Sequence, residues 1–284
     1  MSLISCKDLL EEADHRNTAI ISFMCVDYNM VYSVVHSAEK TGKPAIVMIL
    51  PEYMPKNNMA DLPGFVKMAN DLADSVKVPI AVHLDHSYTQ EEILLGIKAG
   101  FTSVMIDGSA MPLEDNIALT RTVCDIAHTL GVAVEAELGH VGSANAREGE
   151  NKDLYTKPDL AGKFVDETKC DYLTISIGNA HGVYIETPHL DIRRLDEINA
   201  ATSVPLVLHG GSGIPEDQLK VAFTRGINKF NVGTEFLQCY YDSIVDYTRE
   251  MESSDNAWKI LDLPKYAQER MSAYLEKKLQ LTRF

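Results

Sequence analysis

The sequence predicts a (β/α)8 barrel, and two patterns along its 284 residues lead to this fold class. Short apolar or β-branched runs alternate with longer amphipathic segments, which is typical of βα units joined in a parallel sheet. There are eight such runs, and eight strands with helical crossovers readily close into a barrel. The alternative, an open doubly wound sheet, usually has a glycine-rich phosphate turn after its first strand, and this sequence has none there.

The predicted strands are almost continuously apolar, as expected for strands that are covered on both faces. They span residues 20–23, 45–50, 80–84, 103–106, 132–137, 172–177, 205–208 and 229–232. Helices are expected between them, for example at 90–99, 113–130, 158–168 and 215–224, and one further C-terminal helix is expected at 263–281. No linker or low-complexity run divides the chain, so residues 1–284 are predicted to form one domain.

The composition excludes several classes of protein. The formal net charge of −15 is spread along the chain and would repel nucleic acid and anionic lipid, so neither is an expected partner. No apolar run is long enough to span a membrane, and the N-terminus does not resemble a signal peptide. The sequence therefore predicts a cytoplasmic protein. Its five cysteines form no CxxC pair and are expected to be reduced and mostly buried.

Polar side chains gather where the predicted strands end. HLDH ends the third strand, GNAHG follows the sixth, and HGGSG follows the seventh. Barrel enzymes build their active sites at this face, from the ends of several strands. The barrel mouth would bring together His86, His181 and His209, and three neutral imidazoles with an open fourth position suit a catalytic zinc ion. The four histidines at positions 15, 36, 128 and 189 are interpreted as structural or solvated.

Two glycine-rich turns predict an anion site. HGGSG and NVGT, after the seventh and eighth strands, offer backbone N–H groups together with Ser212 and Thr234, where barrels of this kind usually bind phosphate. Ser212 could also cap the helix that follows it, and the two roles do not exclude each other. The polar segment 139–157 is interpreted as a mobile loop over the site.

Five motifs in this order, HLDH, VEAELG, GNAHGVY, HGGSGI and NVGTE, resemble the class II (zinc-dependent) fructose- and tagatose-bisphosphate aldolases over nearly the whole chain. The resemblance implies a lyase that reversibly cleaves a small sugar phosphate, a ketose phosphate, into an aldehyde and dihydroxyacetone phosphate or a close analogue. It implies one catalytic Zn²⁺ ion, leaves room for a monovalent cation, and suggests a homodimer or homotetramer.

The resemblance also implies a role for individual residues. His86, His181 and His209 would be the zinc ligands, and Asp85 would be the acid/base that moves the proton of the aldehyde oxygen. Glu137 would lie near the metal, as a ligand of the resting site or behind the ligands, although an ion pair inside the barrel is an equal alternative. The residues expected around the substrate and its phosphate are Gly182, Gly210, Gly211, Ser212, Asn231, Gly233 and Thr234.

The chain departs from its relatives around the rest of the substrate. Met24 stands where many relatives have an asparagine, and residues 48–51 replace a strand end that often carries a serine. Ile185 and Glu186 stand where a lysine often reaches a phosphate. The usual acidic pair of the mobile loop is not obvious, and Glu148 or Glu150 is the candidate proton-abstracting base. These changes favour an aldehyde other than glyceraldehyde 3-phosphate.

Two other functions remain open from the sequence. A zinc-dependent hydrolase could use the same barrel, with Asp85 as the general base of a metal-activated water. A non-catalytic partner subunit of an aldolase is the second alternative. Such a subunit would be free to lose its metal ligands, whereas this chain keeps Asp85 and all three histidines.

Overall fold

The computed structural model describes residues 2–52, 61–144, 154–251 and 257–284, and its central feature is a closed barrel of eight parallel strands. The described strands are β1 (Ile20–Met24), β2 (Ala45–Ile49), β3 (Ile80–Ser87), β4 (Ser103–Ile106), β5 (Ala133–Leu138), β6 (Gly142–Ser143), β7 (Tyr172–Ile175), β8 (Ala180–His181), β9 (Leu206–Leu208) and β10 (Ile227–Val232). The barrel closes in the order β1-β10-β9-β7-β5-β4-β3-β2. The predicted (β/α)8 fold is therefore confirmed.

Helices connect the barrel strands and cover their outer face. They are α1 (Cys6–His15), α2 (Tyr28–Thr41), α3 (Leu62–Asp74), α4 (Gln90–Ala99), α5 (Leu113–Thr129), α6 (Pro158–Thr168), α7 (Ile192–Ala201), α8 (Glu216–Phe223), α9 (Thr234–Met251) and α10 (Leu263–Leu279), with a 3-10 helix at Ala257–Leu261. Local sequence explains several boundaries. Thr89 and Glu92 form a capping box that starts α4, and Gly100, with φ of 101°, ends it.

The N-terminal helix α1 closes the bottom of the barrel, a position that the strand pattern did not predict. Leu9 and Leu10 are buried among side chains from the barrel interior, including Ile46, Tyr172 and Val207. Each leucine buried in this way contributes about 1.5–3 kcal/mol to folding. Because α1 fills the end of the barrel where the strands begin, the open mouth is the opposite end, where the strands terminate.

Strand β3 runs three residues further than predicted and carries an irregularity at its end. Its register against β4 shifts between Leu84 and Ser87, and His86 has a positive φ of 38°. The strand predicted at 80–84 leaves His86 outside it. The structure instead places it at a bulge, which turns its side chain away from ordinary strand alternation. A positive φ in a residue other than glycine is uncommon and often marks a functional site.

Two further observations concern the whole molecule. The described helices include none that is both long and apolar enough to cross a membrane. All five cysteines are unpaired, and Cys6, Cys25, Cys124 and Cys170 are buried, as the sequence predicted.

Candidate active site

A cavity of about 390 Å³ opens at the carboxyl ends of the barrel strands. It collects almost all of the predicted site residues, although they come from distant parts of the chain. Its described lining is Met24, Met48, Leu50, Glu52, Asp85, His86, Tyr88, Asp107, Glu137, His140, Val141, His181, Gly182, Gly210, Gly211, Ser212, Asn231, Gly233 and Thr234.

The three predicted ligand histidines converge at this cavity: His86 and His181 line it, and His209 is fully buried next to His86. Nε2 of His86 lies 3.0 Å from Nδ1 of His209, and the ring centroid of His181 is 5.1 Å from that of His86 and 5.7 Å from that of His209. One nitrogen from each ring lies within 4.8 Å of the others. Three imidazole nitrogens that face a common point are a ligand set typical of zinc.

Carboxylates behind two of these rings determine which nitrogen faces the cavity. Nδ1 of His86 lies 3.0 Å from Oδ2 of Asp107, and Nε2 of His209 lies 2.8 Å from Oε1 of Glu135. Because an ionised carboxylate can only accept a hydrogen bond, each ring carries its proton on that side. Burial alone would lower the pKa of His86, but the charge of Asp85 and the hydrogen bond to Asp107 raise it to about 10, so without a metal Nε2 of His86 keeps a proton and faces the unprotonated Nδ1 of His209. A metal ion would displace that proton and take both nitrogens as ligands. Metal-binding histidines usually have such carboxylate partners.

The electrostatics favour these ionised carboxylates. Burial alone would raise the pKa of Asp107, but its hydrogen bond to His86 and the charge of that ring lower it to about 2. Burial likewise opposes ionisation of Glu135, yet Lys229 and the hydrogen bond from His209 hold its pKa well below the usual range. Both carboxylates can therefore act as hydrogen-bond acceptors near neutral pH.

A fully buried ion pair under the histidines was not predicted. Nζ of Lys229 lies 2.7 Å from Oε2 of Glu135 and 4.0 Å from Oδ1 of Asp85, and neither Lys229 nor Glu135 is exposed to solvent. His83 lies between the same two carboxylates, with Nε2 3.5 Å from Asp85 and 3.3 Å from Glu135. Charged residues inside mainly apolar strands, Glu135 in β5 and Lys229 in β10, were the available sequence signal.

The proposed acid/base, Asp85, is buried at the cavity wall beside the histidine cluster. The side-chain amide of Asn231 donates to both of its carboxylate oxygens, at 3.3 and 3.4 Å, and Nε2 of His86 is 3.9 Å away. Burial alone would raise its pKa, but the neighbouring His86 and His209, with smaller effects from His83 and Lys229, lower it well below the usual range. Asn231, expected around the substrate, lines the cavity, and its amide also holds Asp85.

Glu137 faces the cluster with one free oxygen. Its Oε1 accepts a hydrogen bond from the backbone of Val141 at 2.9 Å, whereas its buried Oε2 has no hydrogen-bond partner among the described residues. Burial, followed by the charge of Asp107, raises its pKa to about 8. The barrel-interior ion pair considered for Glu137 belongs to Glu135 instead.

These features together fit a divalent metal ion. The donor set offers three imidazole nitrogens, and Asp107 and Glu135 orient two of the rings. The unpartnered Oε2 of Glu137 belongs to a second group, with His86 and Asp107, whose potential ligand atoms also lie within 4.8 Å of one another. A metal ion near these groups would satisfy an oxygen that is otherwise costly to bury.

The predicted phosphate site lies beside this cluster, where β9 and β10 end. Among the described residues, the backbone N–H groups of Ser212, Gly233 and Thr234 have no acceptor, and Thr234 begins α9, whose N-terminus favours an anion. The N–H of Gly211, by contrast, donates to the carbonyl oxygen of Asn231 at 3.2 Å. The N–H of Gly211 is therefore not one of the free donors; Gly211 lines the cavity, and a Cβ at this position would overlap the ring of Phe230.

Two side chains hold the phosphate loop in place. Oγ of Ser212 accepts a hydrogen bond from the backbone of Glu235 at 3.1 Å, so Ser212 joins the loop to the start of α9. The helix that directly follows Ser212 has no side-chain cap. The hydroxyl of Tyr184 accepts from the N–H of Ala180 at 2.7 Å and donates to the carbonyl of Gly210 at 2.9 Å. Tyr184, the last residue of GNAHGVY, thus links the loops that carry His181 and His209.

The residues that depart from the family pattern divide into three groups. Met24, Met48 and Leu50 line the cavity. Ile185 and Glu186 do not line it, but border a neighbouring groove of about 680 Å³. The two candidate bases, at positions 148 and 150, lie outside the described residues.

The comparisons with known proteins agree with this geometry. The family model for class II fructose-bisphosphate aldolase matches residues 4–283. The chain is 38% identical over 228 residues to the protein YdjI of Escherichia coli K12, covering 80% of this chain and 81% of YdjI.

Solved structures show the same relationship. The crystal structure of the YdjI aldolase from Escherichia coli K12 superposes with a TM-score of 0.85 at 32% identity, covering 98% of this chain and 97% of that one. A fructose-bisphosphate aldolase of Campylobacter jejuni has a TM-score of 0.81 at 22% identity, covering 99% of this chain and 95% of that one. This likeness supports the fold alone. The chain therefore belongs to the class II fructose-bisphosphate aldolase family and is a lyase.

Proposed function

We propose that this aldolase catalyses the zinc-dependent, reversible cleavage of a ketose phosphate into dihydroxyacetone phosphate, or a close analogue, and an aldehyde other than glyceraldehyde 3-phosphate. The observation that carries the proposal is one cavity in which three imidazoles converge beside a buried carboxylate and an anion-binding loop. Neither the substrate nor the metal follows from family membership alone, so both belong to the proposal.

The metal site supplies the electrophile. When bound by His86, His181 and His209, a zinc ion would polarise the carbonyl of the ketose and stabilise the negative charge that develops as the C–C bond breaks. The contribution of the protein is to orient the rings. Asp107 and Glu135 hold His86 and His209 with the required nitrogens toward the cavity, so that little rearrangement is needed on binding.

Asp85 moves the proton at the other end of the breaking bond. In the cleavage direction, its carboxylate accepts the proton of the substrate hydroxyl whose oxygen becomes the aldehyde carbonyl. The depressed pKa favours the ionised form that this step needs, and the amide of Asn231 orients the carboxylate. In the condensation direction, the same oxygen returns the proton to the new hydroxyl group.

Backbone groups hold the phosphate of the ketose. The free N–H groups of Ser212, Gly233 and Thr234 converge on the cavity, and the start of α9 adds the favourable end of its dipole. Gly182 lines the cavity from the loop that carries His181. This arrangement binds a single phosphate group next to the metal site.

The rest of the cavity lining differs from the phosphate site. Met24, Met48 and Leu50 are apolar, and the described lining of the cavity includes no lysine or arginine. A second phosphate would therefore enter a region with acidic groups, among them Glu52 and Asp85, and no compensating cation in the described lining. This favours an unphosphorylated aldehyde.

A screen of ketose phosphates tests the proposal. Purified protein with one equivalent of zinc is assayed against ketose 1-phosphates and against fructose and tagatose bisphosphates, with release of dihydroxyacetone phosphate as the readout. We expect one of the monophosphates to be the best substrate. A preference for a bisphosphate would contradict the assignment of the aldehyde.

A second assay separates aldolase from hydrolase chemistry. An aldolase exchanges a proton of dihydroxyacetone phosphate with solvent in the absence of any aldehyde, whereas a hydrolase does not. Failure to exchange, together with failure to cleave every ketose phosphate, would contradict the proposed function. Family membership favours the aldolase over the hydrolase and over a non-catalytic subunit.

The assembly is proposed on the family resemblance alone. We propose a homodimer or homotetramer of this 31.5 kDa chain. Light scattering after size exclusion measures the mass directly, and a monomer at micromolar concentration would contradict it.

A further inference from the structure

A ninth histidine, His140, lies at the rim of the active-site cavity and has no role in the chemistry described above. Its side chain is 43% exposed, so it is open to solvent and to a substrate. It directly follows β5 and the turn at Gly139, in the stretch ELGHVG, and the family motifs assign it no function.

The ring of His140 is held more firmly than that of a solvated surface histidine. Its Nδ1 lies 2.9 Å from Oγ of Ser109, and its backbone N–H donates to the carbonyl of Leu154 at 2.8 Å. Ser109 is in turn fixed, because its own N–H donates to Oδ1 of Asp107 at 3.0 Å. Asp107 is the carboxylate that orients His86. The position of His140 is therefore tied to the metal site through Ser109 and Asp107, and its Nδ1 also lies 3.9 Å from Oε1 of Glu137.

The order of strands places His140 far from the phosphate loop. The loop follows β9 and β10, whereas His140 and Ser109 follow β5 and β4, about three strand positions further round the eight-stranded barrel. His181 comes after β7, the strand between β9 and β5, and His86 and His209 converge on it. A ketose phosphate anchored at the loop, with its carbonyl at the histidines, would extend its remaining carbons toward this far side.

We propose that His140 determines substrate specificity by hydrogen bonding to a hydroxyl group on the aldehyde portion of the substrate. The inference rests on the proposed function and makes it more specific. Nδ1 is engaged by Ser109, and Nε2 has no hydrogen bond among the described residues. A ring nitrogen can either donate to or accept from a hydroxyl group. The substrate class is then a hydroxylated aldehyde, because the chain of an alkyl aldehyde has no hydroxyl group for this nitrogen to bind.

The test compares aldehydes of equal length with and without hydroxyl groups. Wild type and His140→Ala are assayed for condensation of dihydroxyacetone phosphate with glyceraldehyde and erythrose, and with propanal and butanal as their unsubstituted counterparts. We expect His140→Ala to lower kcat/KM about 10-fold to 100-fold for the hydroxylated aldehydes, mainly through KM, because a specific hydrogen bond is lost. The alkyl aldehydes should change less than twofold.

Three controls make the result specific. His140→Gln keeps a donor on a side chain of similar reach and should recover part of the loss. Ser109→Ala removes the hydrogen bond to Nδ1 of His140 and should reproduce part of the loss in kcat/KM. His15→Ala, at the end of α1 on the closed side of the barrel, should have no effect. Thermal melting checks that each variant is folded.

The outcomes separate this inference from the proposed function. Proton exchange into dihydroxyacetone phosphate involves no aldehyde, so His140→Ala should exchange at the wild-type rate. An equal loss for hydroxylated and alkyl aldehydes, no loss for either, or a parallel loss of exchange would overturn the role of His140. Absence of exchange in the wild type would overturn the proposed function, and the role of His140 with it.

Discussion

Glu135 lies behind His209 and determines which nitrogen of that ring faces the cavity. Its Oε1 is 2.8 Å from Nε2 of His209, and the ring presents Nδ1 to His86 on its other side, at 3.0 Å. The second oxygen of Glu135 is 2.7 Å from the buried ammonium group of Lys229. The orientation of His209 thus depends on a buried carboxylate whose negative charge is balanced by Lys229.

The first prediction concerns this orientation. Glu135→Gln keeps an oxygen acceptor but removes the charge that makes the imidazole a stronger ligand, so zinc affinity should fall about 10-fold to 100-fold. Competition with a chelating dye measures the affinity. Asp171→Asn is a matched control, because Asp171 also accepts from a histidine, with Nε2 of His128 at 2.8 Å, but lies outside the site. Equal affinities in the two variants would contradict the role of Glu135.

The second prediction concerns the ion pair. Lys229→Met leaves the carboxylate of Glu135 buried without its counter-charge, and should lower the free energy of unfolding by about 3–5 kcal/mol. Lys43→Met is the matched control, because Lys43 is also buried but, among the described residues, donates to main-chain oxygens of Thr282 and Phe284 rather than to a side-chain carboxylate. Its cost should be about 1–3 kcal/mol.

Urea unfolding of the metal-free proteins provides both values. The double variant Lys229→Met/Glu135→Gln removes both charges together and should recover part of the stability lost in Lys229→Met. If the double variant were less stable by the sum of the single effects, the two residues would not be coupled.

The third prediction separates catalysis from metal binding. Asp85→Ala should lose about 10²-fold to 10⁴-fold in the rate of cleavage, because it removes the carboxylate proposed to move the proton of the aldehyde oxygen. The zinc content should remain at one ion per chain. A variant that has lost its zinc would show that Asp85 acts on the metal site rather than on the substrate.

The fourth prediction concerns Gly210, the first glycine of HGGSG. It has a φ of +63°, and a Cβ there would overlap the carbonyl oxygen of Ala180, next to His181. Gly210→Ala should therefore lower the free energy of unfolding by about 3 kcal/mol or more, which exceeds the effect of backbone strain alone. It should also raise KM for the phosphorylated substrate. Chemical unfolding and steady-state kinetics measure the two effects.

Gly42→Ala provides a matched control for this variant. Gly42 has a similar φ of +69°, but no atom lies within 4 Å of the position of its Cβ. Its cost should be about 1 kcal/mol, from strain alone. Equal costs at the two positions would mean that the contact between Gly210 and Ala180 does not matter.

The barrel could be predicted from the sequence because its strands are buried on both faces. Their apolar runs stand out without any knowledge of their partners, and strand β4 was predicted to the residue. It was also sufficient to bring the histidines together, since the carboxyl ends of parallel strands meet at one face.

The remaining features depend on contacts between distant residues. Glu135 and Lys229 are 94 positions apart, and only the closed barrel makes them a pair. The bulge at His86 results from a register shift against β4. The bond from Gly211 to Asn231 occupies a donor that the glycine-rich motif seemed to offer to phosphate. Strand periodicity carries no information on any of these.

The central claim is that His86, His181 and His209 hold one zinc ion on which aldol cleavage depends. Cleavage of the best ketose phosphate is measured after the metal has been removed with a chelator, and again after stoichiometric zinc is returned. We predict that the metal-free protein is inactive, that one zinc ion per chain restores it, and that His181→Ala is not restored. Full cleavage activity in protein shown by metal analysis to contain no metal would contradict the account.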